Sequence, residues 1–423
     1  MAGPIPTGLL PDTASISADG RLRIGGCDRV DLAGEYGTPL FVYDEDHLRA
    51  RCREAVAAFG DGVAYASKAF LCGAMASLAH EEGMHLDVAT GGELFVARRA
   101  GVPADRLVMH GNNKSGAELA MALDEGVGRI VVDSFDELDR LDAIATATGS
   151  RPRVLLRITP GVEAHTHEFI ATGQDDSKFG FTASSGLATA AVERAVASDS
   201  VELVGLHAHI GSQVFEVGAF ARAIEVLADF AAPLGLAELS VGGGLGVPYV
   251  EGESAPSITE WASGIRAVCE AAGVTASVSA EPGRAIVAAA AVTLYTVGTI
   301  KDLPGIRTYV AVDGGMSDNP RPVLYGSGYE TFLPRATAAE RSRPVRVVGK
   351  HCESGDLLVR EGWVPDDLVV GDVLATPVTG AYGHAMGSNY NHVLRPAVVF
   401  VANGDARMVV RRETFEDLVR REV

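Results

Sequence analysis

The segment GVAYASKAFLCG, residues 62–73, places a single lysine directly after a short apolar run. Lys68 follows Val63 to Ala66, and Phe70 to Cys72 continue the apolar stretch. Most lysines at such a position extend the ammonium group into water and bury only the alkyl stem. The alternative is an amine held beside an aldehyde, where it acts as a nucleophile. Polar residues elsewhere in the chain bear on this choice.

Eight short apolar runs alternate with longer, alanine-rich segments of helical spacing. The helical segments include Gly116 to Glu125, Phe135 to Thr148 and Val217 to Phe230. Strands joined by helices predict parallel crossovers, and eight such units close a (β/α)8 TIM barrel. An open doubly wound sheet is the alternative, but GxGxxG is absent after the first strand. The predicted strands are Val63 to Ala66, Leu86 to Ala89, Leu107 to His110, Arg129 to Val132, Val154 to Ile158, Leu203 to His209, Leu239 to Gly242 and Ala276 to Ala280.

Seven of these eight runs end in unusual polar residues or glycines, which is hard to attribute to solvation. In a barrel, the working groups lie at the carboxyl ends of the strands. The residues concerned are Lys68, Asp87, Thr90, His110, Asn112, Arg157, His207, His209, Ser212, Gly242, Gly243, Gly244, Glu281 and Arg284.

Two of these strand ends suggest a phosphorylated, nitrogen-containing ring as ligand. Three glycines in SVGGGLG let backbone N–H groups approach a phosphate, although a plain tight turn has the same signature. Glu281 in AEPGR supplies a carboxylate that would keep a pyridine nitrogen protonated. A structural ion pair between Glu281 and Arg284 is the alternative.

HAHIGS places His207 and His209 two residues apart on a strand. Two such histidines could bind zinc if Asp87, His110 or Glu281 completed the ligand set, as in a metal-dependent hydrolase. That hypothesis leaves Lys68 and the glycines unexplained. Lysine, carboxylate, glycine-rich turn and a stacking histidine together describe a pocket for pyridoxal 5'-phosphate.

Composition limits the partners and the compartment. The chain has 36 Lys+Arg against 55 Asp+Glu, a net charge of −19, and the acids are scattered. This balance argues against nucleic acid and anionic membranes as partners. Five cysteines without a CxxC pair, an N-terminus without a signal-peptide pattern and the lack of a membrane-spanning apolar run predict a cytoplasmic protein.

After about residue 290 the pattern changes to period-two runs typical of antiparallel strands, such as AVTLYTVGTI and AVVFVANG. RLRIGG and PLFVYD near the N-terminus are also strand-like. We therefore expect residues 1–45 to pack on the β domain, residues 46–290 to form the cofactor-binding barrel, and residues 291–423 to form a C-terminal antiparallel β domain.

With these motifs in order, the chain resembles the diaminopimelate decarboxylases, which are fold-type-III pyridoxal-phosphate enzymes like alanine racemase. The resemblance covers most of the chain. HGNNKS, GMSDNPRPVLY and CESGD point more narrowly to this family than YASKA, HIGS, GGG and EPGR do. The matching segments are YASKAF, LDVATGGEL, HGNNKS, EFIATGQDDSKFGF, HAHIGSQ, GGGLG, EPGR, VDGGMSDNPRPVLY, KHCESGDLLV and GAYGHAMGSNYN.

The resemblance implies decarboxylation of meso-2,6-diaminopimelate to L-lysine and CO2, the last step of lysine biosynthesis, by a homodimer with shared active sites. It implies that Lys68 holds the cofactor, and that Cys352 reaches across from the second subunit to protonate Cα. The implied cofactor-binding set is Lys68, Asp87, His209, Ser212, Gly243, Gly244, Glu281, Gly283, Arg284 and Tyr382. The implied substrate-binding set is Arg284, Arg321, Tyr325, Glu353, Ser354 and Tyr382, with Cys352 alongside.

Two segments depart from the family pattern. GAYGHAMGSNYN has Gly383, His384 and Ala385 where the family usually shows a serine before the methionine, and NHVLRPAVV replaces an NPRPAEV-like ending. We expect His384 to have a surface or packing role rather than a catalytic one. Two alternatives remain: a related decarboxylase for another amino acid, including a carrier-tethered one, and a catalytically silent regulator. Lys68, Glu281 and Cys352 are all present, which argues against the regulator.

Overall fold

The computed structural model describes residues 3–162 and 173–423. The strands are β1 Ser15–Ile16, β2 Leu22–Ile24, β3 Cys27–Asp28, β4 Leu40–Asp44, β5 Ala64–Ala66, β6 His85–Val88, β7 Leu107–Met109, β8 Arg129–Val132, β9 Arg153–Thr159, β10 Phe181–Thr182, β11 Glu202–His207, β12 Glu238–Ser240, β13 Ser277–Ser279, β14 Ala291–Leu303, β15 Arg307–Val312, β16 Arg343–Val348, β17 Leu357–Val364, β18 Val373–Pro377, β19 Ala397–Ala402 and β20 Asp405–Val410. The α-helices are α1 Arg29–Tyr36, α2 Glu45–Phe59, α3 Gly73–Glu81, α4 Gly91–Arg99, α5 Gly116–Glu125, α6 Phe135–Thr148, α7 Leu187–Val196, α8 Val217–Ala231, α9 Ile258–Ala271, α10 Arg284–Val287, α11 Arg321–Tyr325 and α12 Phe415–Val419.

The chain divides into two compact units. Residues 51–246 and 255–285 form the first, here called the barrel unit, and residues 1–50, 247–254 and 286–423 form the second, the sheet unit. No helix of the described residues is long and apolar enough to cross a bilayer.

The barrel unit contains the eight predicted strands, all paired in parallel in the order β13-β12-β11-β9-β8-β7-β6-β5. The first and last strands meet as well, because the Ala64 N–H donates to the Ala280 carbonyl (3.0 Å) and the Ala66 N–H to the Pro282 carbonyl (3.3 Å). The predicted barrel is confirmed, and the carboxyl ends of its strands therefore face one side.

Local signals in the sequence explain where several barrel helices begin. Ser115 accepts a hydrogen bond from the N–H of Glu118, whose carboxylate reaches back to Ser115, and Ser257 and Glu260 form the same capping box at α9. Thr90 caps α4 by accepting from the N–H of Glu93 (3.2 Å). Thr90 thus starts a helix, which separates it from the other polar residues at strand ends.

The sheet unit is built on an eight-stranded sheet in which β4, from the N-terminal segment, pairs with both β14 and β19. Its core includes Leu40, Val42, Val292, Leu294 and Val399, all fully buried. Most strand pairs are antiparallel, as predicted, but β15–β16 and β4–β19 are parallel. The β17 strand was not among the period-two runs in the sequence, because LLVREGWV does not alternate cleanly between apolar and polar residues.

Candidate active site

A buried carboxylate, Glu281, organises the polar cluster of the barrel unit. It lies just after β13 and is 7% exposed. The Ser240 hydroxyl at the end of β12 donates to Oε1 (2.8 Å), and His207 Nε2 at the end of β11 lies 3.0 Å from Oε2. Three neighbouring strands thus place these groups together, as expected for parallel strands of a barrel.

His110, which follows β7, lies between two carboxylates. Its Nε2 is 3.5 Å from Glu281 Oε1 and 3.6 Å from Asp87 Oδ1. The His110 and His207 rings meet edge to face, with centroids 5.0 Å apart. Arg157, at the end of β9, is buried beside this cluster with its Nε 3.7 Å from Asp133 Oδ1 and its guanidinium 4.3 Å from the Phe179 ring centroid.

Burial and neighbouring charges shift the pKa values of the two carboxyl groups, Glu281 and Asp87, in opposite directions. They do the same for the two histidines, His207 and His110. Burial acts to raise the pKa of Glu281, but His207 and His110 hold that pKa well below its usual range. Burial raises the pKa of Asp87. Burial lowers the pKa of His207, whereas for His110 the charges of Asp87 and Glu281 outweigh burial and raise the pKa. The Glu281 carboxylate thus lies between two histidine rings whose pKa values are shifted in opposite directions, downward for His207 and upward for His110.

The glycine turn after β12 and His209 form a second group. The N–H of Gly243 donates to His209 Nδ1 (3.2 Å), and the N–H of Gly242 donates to Ser240 Oγ (3.2 Å). Burial, followed by the charges of Lys68 and Arg157, keeps the pKa of His209 well below its usual value. His209 is therefore neutral, with Nδ1 as an acceptor.

Gly244 is the member of the turn best suited to an anion. Its φ of 113° is in a region that favours glycine, and an added Cβ would lie 2.2 Å from the Gly211 carbonyl oxygen. Within the described chain, the Gly244 N–H has no acceptor, unlike the N–H groups of Gly242 and Gly243. The sequence treated the three glycines as equivalent, but the structure gives two of them internal partners.

Lys68 lies one turn beyond β5, in a short 3-10 helix over Ser67–Ala69. Its side chain is exposed in the single chain, while Ser67, Ala69 and Phe70 are buried. Its charge is felt by both Asp87 and His209. No acceptor or carboxylate among the described residues binds its ammonium group. The lysine is thus directed to the carboxyl side of the barrel without an internal partner.

Gly283 and Arg284 follow Glu281 at the start of α10. A Cβ on Gly283 would lie 2.9 Å from both the Cβ and the carbonyl oxygen of Ala66, so only glycine lets this turn approach β5. Arg284 is buried, and its Nη2 donates to Ser212 Oγ (2.8 Å). This contact gives the Arg284 guanidinium a hydroxyl partner at the end of the turn.

In the sheet unit, Arg321 begins α11 and is 3% exposed. Its Nη1 donates to the Tyr329 hydroxyl (2.7 Å), and its Cζ lies 4.1 Å from the Tyr249 ring centroid. Its Nε has no hydrogen-bond partner, and no carboxylate of the described residues pairs with it. Tyr325, at the other end of α11, is half-buried. A buried guanidinium without a counter-ion is a candidate binding site for a carboxylate.

The segment Cys352, Glu353 and Ser354 is exposed on the sheet unit. A buried carboxylate holds the turn in place, because Asp356 accepts from the N–H groups of Met316 (2.7 Å) and His351 (2.9 Å). The Cys352 N–H donates to Asn391 Oδ1 (3.2 Å). A fixed turn thus presents a thiol, a carboxylate and a hydroxyl outward.

The GAYGHAMGSNYN segment places Tyr382 in a half-buried position with a φ of 62°. His384 packs edge to face on Phe41, with ring centroids 5.8 Å apart, and burial lowers its pKa to about 4. These contacts favour the packing role over the surface role for His384. Residues 168–172 of the EFIATGQDDSKFGF segment lie outside the described residues.

Three groups were missed as site candidates in the sequence. Ser240 lies inside the apparently apolar run Leu239 to Gly242, and Tyr249 and Tyr329 lie in segments without a regular pattern. A hydroxyl inside a barrel strand was the available signal for Ser240. His110, His207 and Glu281 offer ligand atoms within 4.8 Å of one another, but His209, the second histidine of the zinc hypothesis, is not part of that group.

Comparisons with known proteins distinguish between a zinc site and a pyridoxal 5'-phosphate site. The model of the family "Pyridoxal-dependent decarboxylase, pyridoxal binding domain" matches residues 45–288, which include the whole barrel sheet. The barrel and its lysine-carboxylate cluster are therefore those of a pyridoxal-dependent amino acid decarboxylase.

Full-length similarity narrows the assignment. The chain is 50% identical over 425 residues to the diaminopimelate decarboxylase of Mycobacterium tuberculosis, covering 96% of this chain and 95% of that protein. The Bacillus subtilis enzyme of the same name is 46% identical, with 97% of each chain covered. A crystal structure of diaminopimelate decarboxylase from M. jannaschii in co-complex with L-lysine has a TM-score of 0.91 and 32% identity, and the match covers 97% of this chain and 98% of that chain. The chain belongs to the diaminopimelate decarboxylase family.

The residues present fit pyridoxal 5'-phosphate. The amine of Lys68 has no acceptor among the described residues, the ionised Glu281 is ready to bind a protonated ring nitrogen, and the Gly244 N–H is available to an anion. His209 is neutral and so can lie against an aromatic ring without adding charge.

Proposed function

We propose that this protein decarboxylates meso-2,6-diaminopimelate to L-lysine and CO2, the last step of lysine biosynthesis, with pyridoxal 5'-phosphate as cofactor. The observation that carries the proposal is the 50% identity over nearly the full length to enzymes with this name. The buried Arg321, which lacks a carboxylate partner in the described chain, supports it from the side of the substrate.

In this proposal, residues 46–290 form the cofactor domain. Lys68 would hold the cofactor through its amine, His209 would lie against its ring, and Glu281 would bind its ring nitrogen. Asp87, Ser212, Gly243, Gly244, Gly283, Arg284 and Tyr382 complete the cofactor-binding set. When bound, pyridoxal phosphate supplies an electron sink for the electron pair released as CO2 departs.

The protein's own groups then have distinct tasks. The ionised Glu281 keeps the ring nitrogen protonated, and the neutral His207 holds Glu281 in place through its Nε2–H. The Lys68 amine, which would hold the cofactor when no substrate is bound, would lie near Asp87 and His209 when the substrate is present. The Cys352 thiol delivers a proton to Cα, which completes the product amine.

Substrate recognition is proposed to depend on the distal end of the amino acid. Arg284, Arg321 and Tyr325 bind the distal carboxylate, since a planar guanidinium pairs with a carboxylate through two hydrogen bonds. Glu353 binds the distal amine, with Ser354 and Tyr382 nearby. Ornithine and arginine lack a distal carboxylate, so these guanidinium groups favour a zwitterionic end over a purely cationic one.

The proposal includes a homodimer in the cytoplasm, with residues 1–45 joining residues 291–423 in the β domain. The exposed Cys352, Glu353 and Ser354 would act in the site of the partner subunit, which gives these outward side chains a function. All five cysteines are free, as expected for a reducing compartment.

The direct test is CO2 release by the purified protein from meso-diaminopimelate, L-lysine, L-ornithine and L-arginine at equal concentrations. We expect kcat/KM for diaminopimelate to exceed the others by at least about 100-fold. Comparable or faster turnover of L-ornithine or L-arginine would overturn the proposed substrate while leaving the cofactor assignment intact.

A further inference from the structure

Two tyrosines surround the buried guanidinium of Arg321 in the sheet unit. The Arg321 Cζ lies 4.1 Å from the ring centroid of Tyr249 and 5.7 Å from that of Tyr329. The two rings meet edge to face, with centroids 5.2 Å apart and planes at 76°. Each of the three side chains is 3% exposed. Tyr249, Tyr329 and Arg321 together are called the tyrosine clamp below.

The clamp holds a cation without neutralising it. Buried arginines in proteins are usually paired with carboxylates. Arg321 instead makes one hydrogen bond to a neutral phenol, from Nη1 to Tyr329 Oη at 2.7 Å, and rests on the π face of Tyr249. Its Nε has no hydrogen-bond partner among the described residues. The positive charge therefore remains available for an anion.

The clamp is braced by a second buried arginine. Arg341 is 1% exposed, and its Nη2 lies 2.7 Å from Glu251 Oε2 and its Nη1 3.1 Å from Glu330 Oε2. These carboxylates lie two residues after Tyr249 and one residue after Tyr329 in the sequence. Arg341 thus ties together the two segments that carry the tyrosines.

Close backbone packing also fixes the two segments. A Cβ on Gly328 would lie 2.9 Å from Val250 Cγ1, so the segments touch directly beside the tyrosines. The Tyr249 N–H donates to Glu253 Oε2 (2.8 Å), which shapes the short loop at residues 249–253. The position of both rings is therefore set before any ligand binds.

We propose that Tyr249 and Tyr329 are positioning residues that make Arg321 selective for substrates with an anionic distal end. This inference rests on the proposed function, because it assumes that Arg321 binds the distal carboxylate. A carboxylate partner in place of the phenol would neutralise the guanidinium and weaken its hold on an incoming anion. Aromatic contacts orient the guanidinium plane and leave its charge to the ligand.

The test measures preference for a distal carboxylate, separately from turnover. Dissociation constants are measured by isothermal titration calorimetry for heptanedioate, which has a carboxylate at each end, and for hexanoate, which has only one. For Tyr249→Leu we expect the preference for heptanedioate to fall by about 5- to 30-fold. Tyr249→Phe keeps the aromatic ring and should retain most of the wild-type preference for heptanedioate.

Tyr329→Phe removes only the hydroxyl and provides a second, less disruptive variant. It should lower the preference for heptanedioate by about 3- to 10-fold. The matched control is Tyr309→Leu, because Tyr309 also carries an arginine near its ring, with the Arg307 Cζ at 5.9 Å, but lies on β15, whereas Arg321 begins α11. Thermal unfolding of each variant verifies folding.

The possible results separate the clamp from the proposed function. If Tyr329→Phe and any folded Tyr249→Leu protein keep the wild-type preference, the clamp is wrong even though the enzyme is active. If the wild-type protein releases no CO2 from diaminopimelate but still prefers heptanedioate through the tyrosines, the proposed function fails and the anion-selective clamp stands. A parallel loss in Tyr309→Leu would also overturn the specific role of Tyr249.

Discussion

His207 Nε2 lies 3.0 Å from Glu281 Oε2 inside the barrel, with both side chains buried. Because burial lowers the pKa of His207, this contact is a hydrogen bond from a neutral imidazole to a carboxylate. The Ser240 hydroxyl, at 2.8 Å, donates to the other oxygen. The carboxylate is thus fixed by donors and keeps its negative charge, which is the property that a protonated pyridine ring requires.

Glu281→Gln should keep the shape of this site but lose its charge. We expect kcat for diaminopimelate to fall by about 100-fold or more, since a neutral amide does not hold a ring nitrogen in its protonated form. Steady-state kinetics and the absorbance of bound cofactor test this. Glu193→Gln, on the exposed side of α7, is the control. Wild-type kcat in Glu281→Gln would contradict the assigned role.

Lys68→Ala should abolish the yellow colour of the purified protein. We expect the wild-type protein to show an absorbance band at about 420 nm after cofactor addition, and the variant to lack this band. Lys301→Ala, at an exposed position of β14, should retain the band. A colourless wild-type protein would reject the cofactor assignment, whatever its sequence similarity.

Arg321→Ala should reduce kcat/KM for diaminopimelate by on the order of 100-fold, because the distal carboxylate loses its main partner. Arg321→Lys should restore little activity, since an ammonium group lacks the planar fork that binds a carboxylate through two hydrogen bonds. Arg360→Ala, exposed on β17, is the matched control. A small effect at Arg321 would mean that other residues bind the distal carboxylate.

His384→Gln should change how stability depends on pH. Burial lowers the pKa of His384 from 6.5 to about 4. Between these values the unfolded chain binds a proton that the folded protein does not, so stability rises with pH and falls on acidification. Relative to His384→Gln, the wild type should lose up to about 1.4 kcal/mol of unfolding free energy per pH unit below 6.5.

Denaturant unfolding at several pH values between 4 and 7 measures this difference. Met386→Gln is the control, because it alters an exposed, non-titrating side chain of the same segment. Equal slopes for wild type and His384→Gln would show that folding does not lower the pKa of His384.

Mixing Lys68→Ala and Cys352→Ala proteins should restore activity if the sites are shared between subunits. Each variant alone is expected to be inactive. A hybrid dimer contains one intact site, so free exchange of equal amounts should give about a quarter of wild-type activity. The measurement is CO2 release after subunit exchange under mild denaturant, and an inactive mixture of demonstrably exchanged dimers would contradict the shared site.

The sequence predicted the barrel well because strand and helix periodicity differ clearly and polar residues mark the strand ends. Ser115 and Ser257 even identify helix starts. Thr90 shows the limit of that signal, since a helix cap and a site residue look alike at a strand end. The sequence could not predict that the β15–β16 and β4–β19 pairs are parallel, because alternation along a strand does not specify the direction of its neighbour.

The site was only partly predictable for a similar reason. Residue type and position indicated Lys68, His209 and Glu281, but not which hydrogen bonds they make. The N–H of Gly243 donates to His209, whereas that of Gly244 has no acceptor in the described chain. This difference depends on the backbone torsion angles, which the sequence does not show. Tyr249 and Tyr329 are distant in sequence from each other, and only the fold brings them to Arg321.

Hydrogen bonds from Ala64 and Ala66 to the far end of the barrel chain have a consequence for biosynthesis. While the ribosome is still synthesising the middle of the protein, one edge of β5 is unpaired. Glu281 has not yet been synthesised, so it cannot act together with Lys68. Cofactor capture must therefore follow emergence of the EPGR segment from the exit tunnel. Until then the nascent chain has an open parallel strand edge, which is a place where strands of other chains can add.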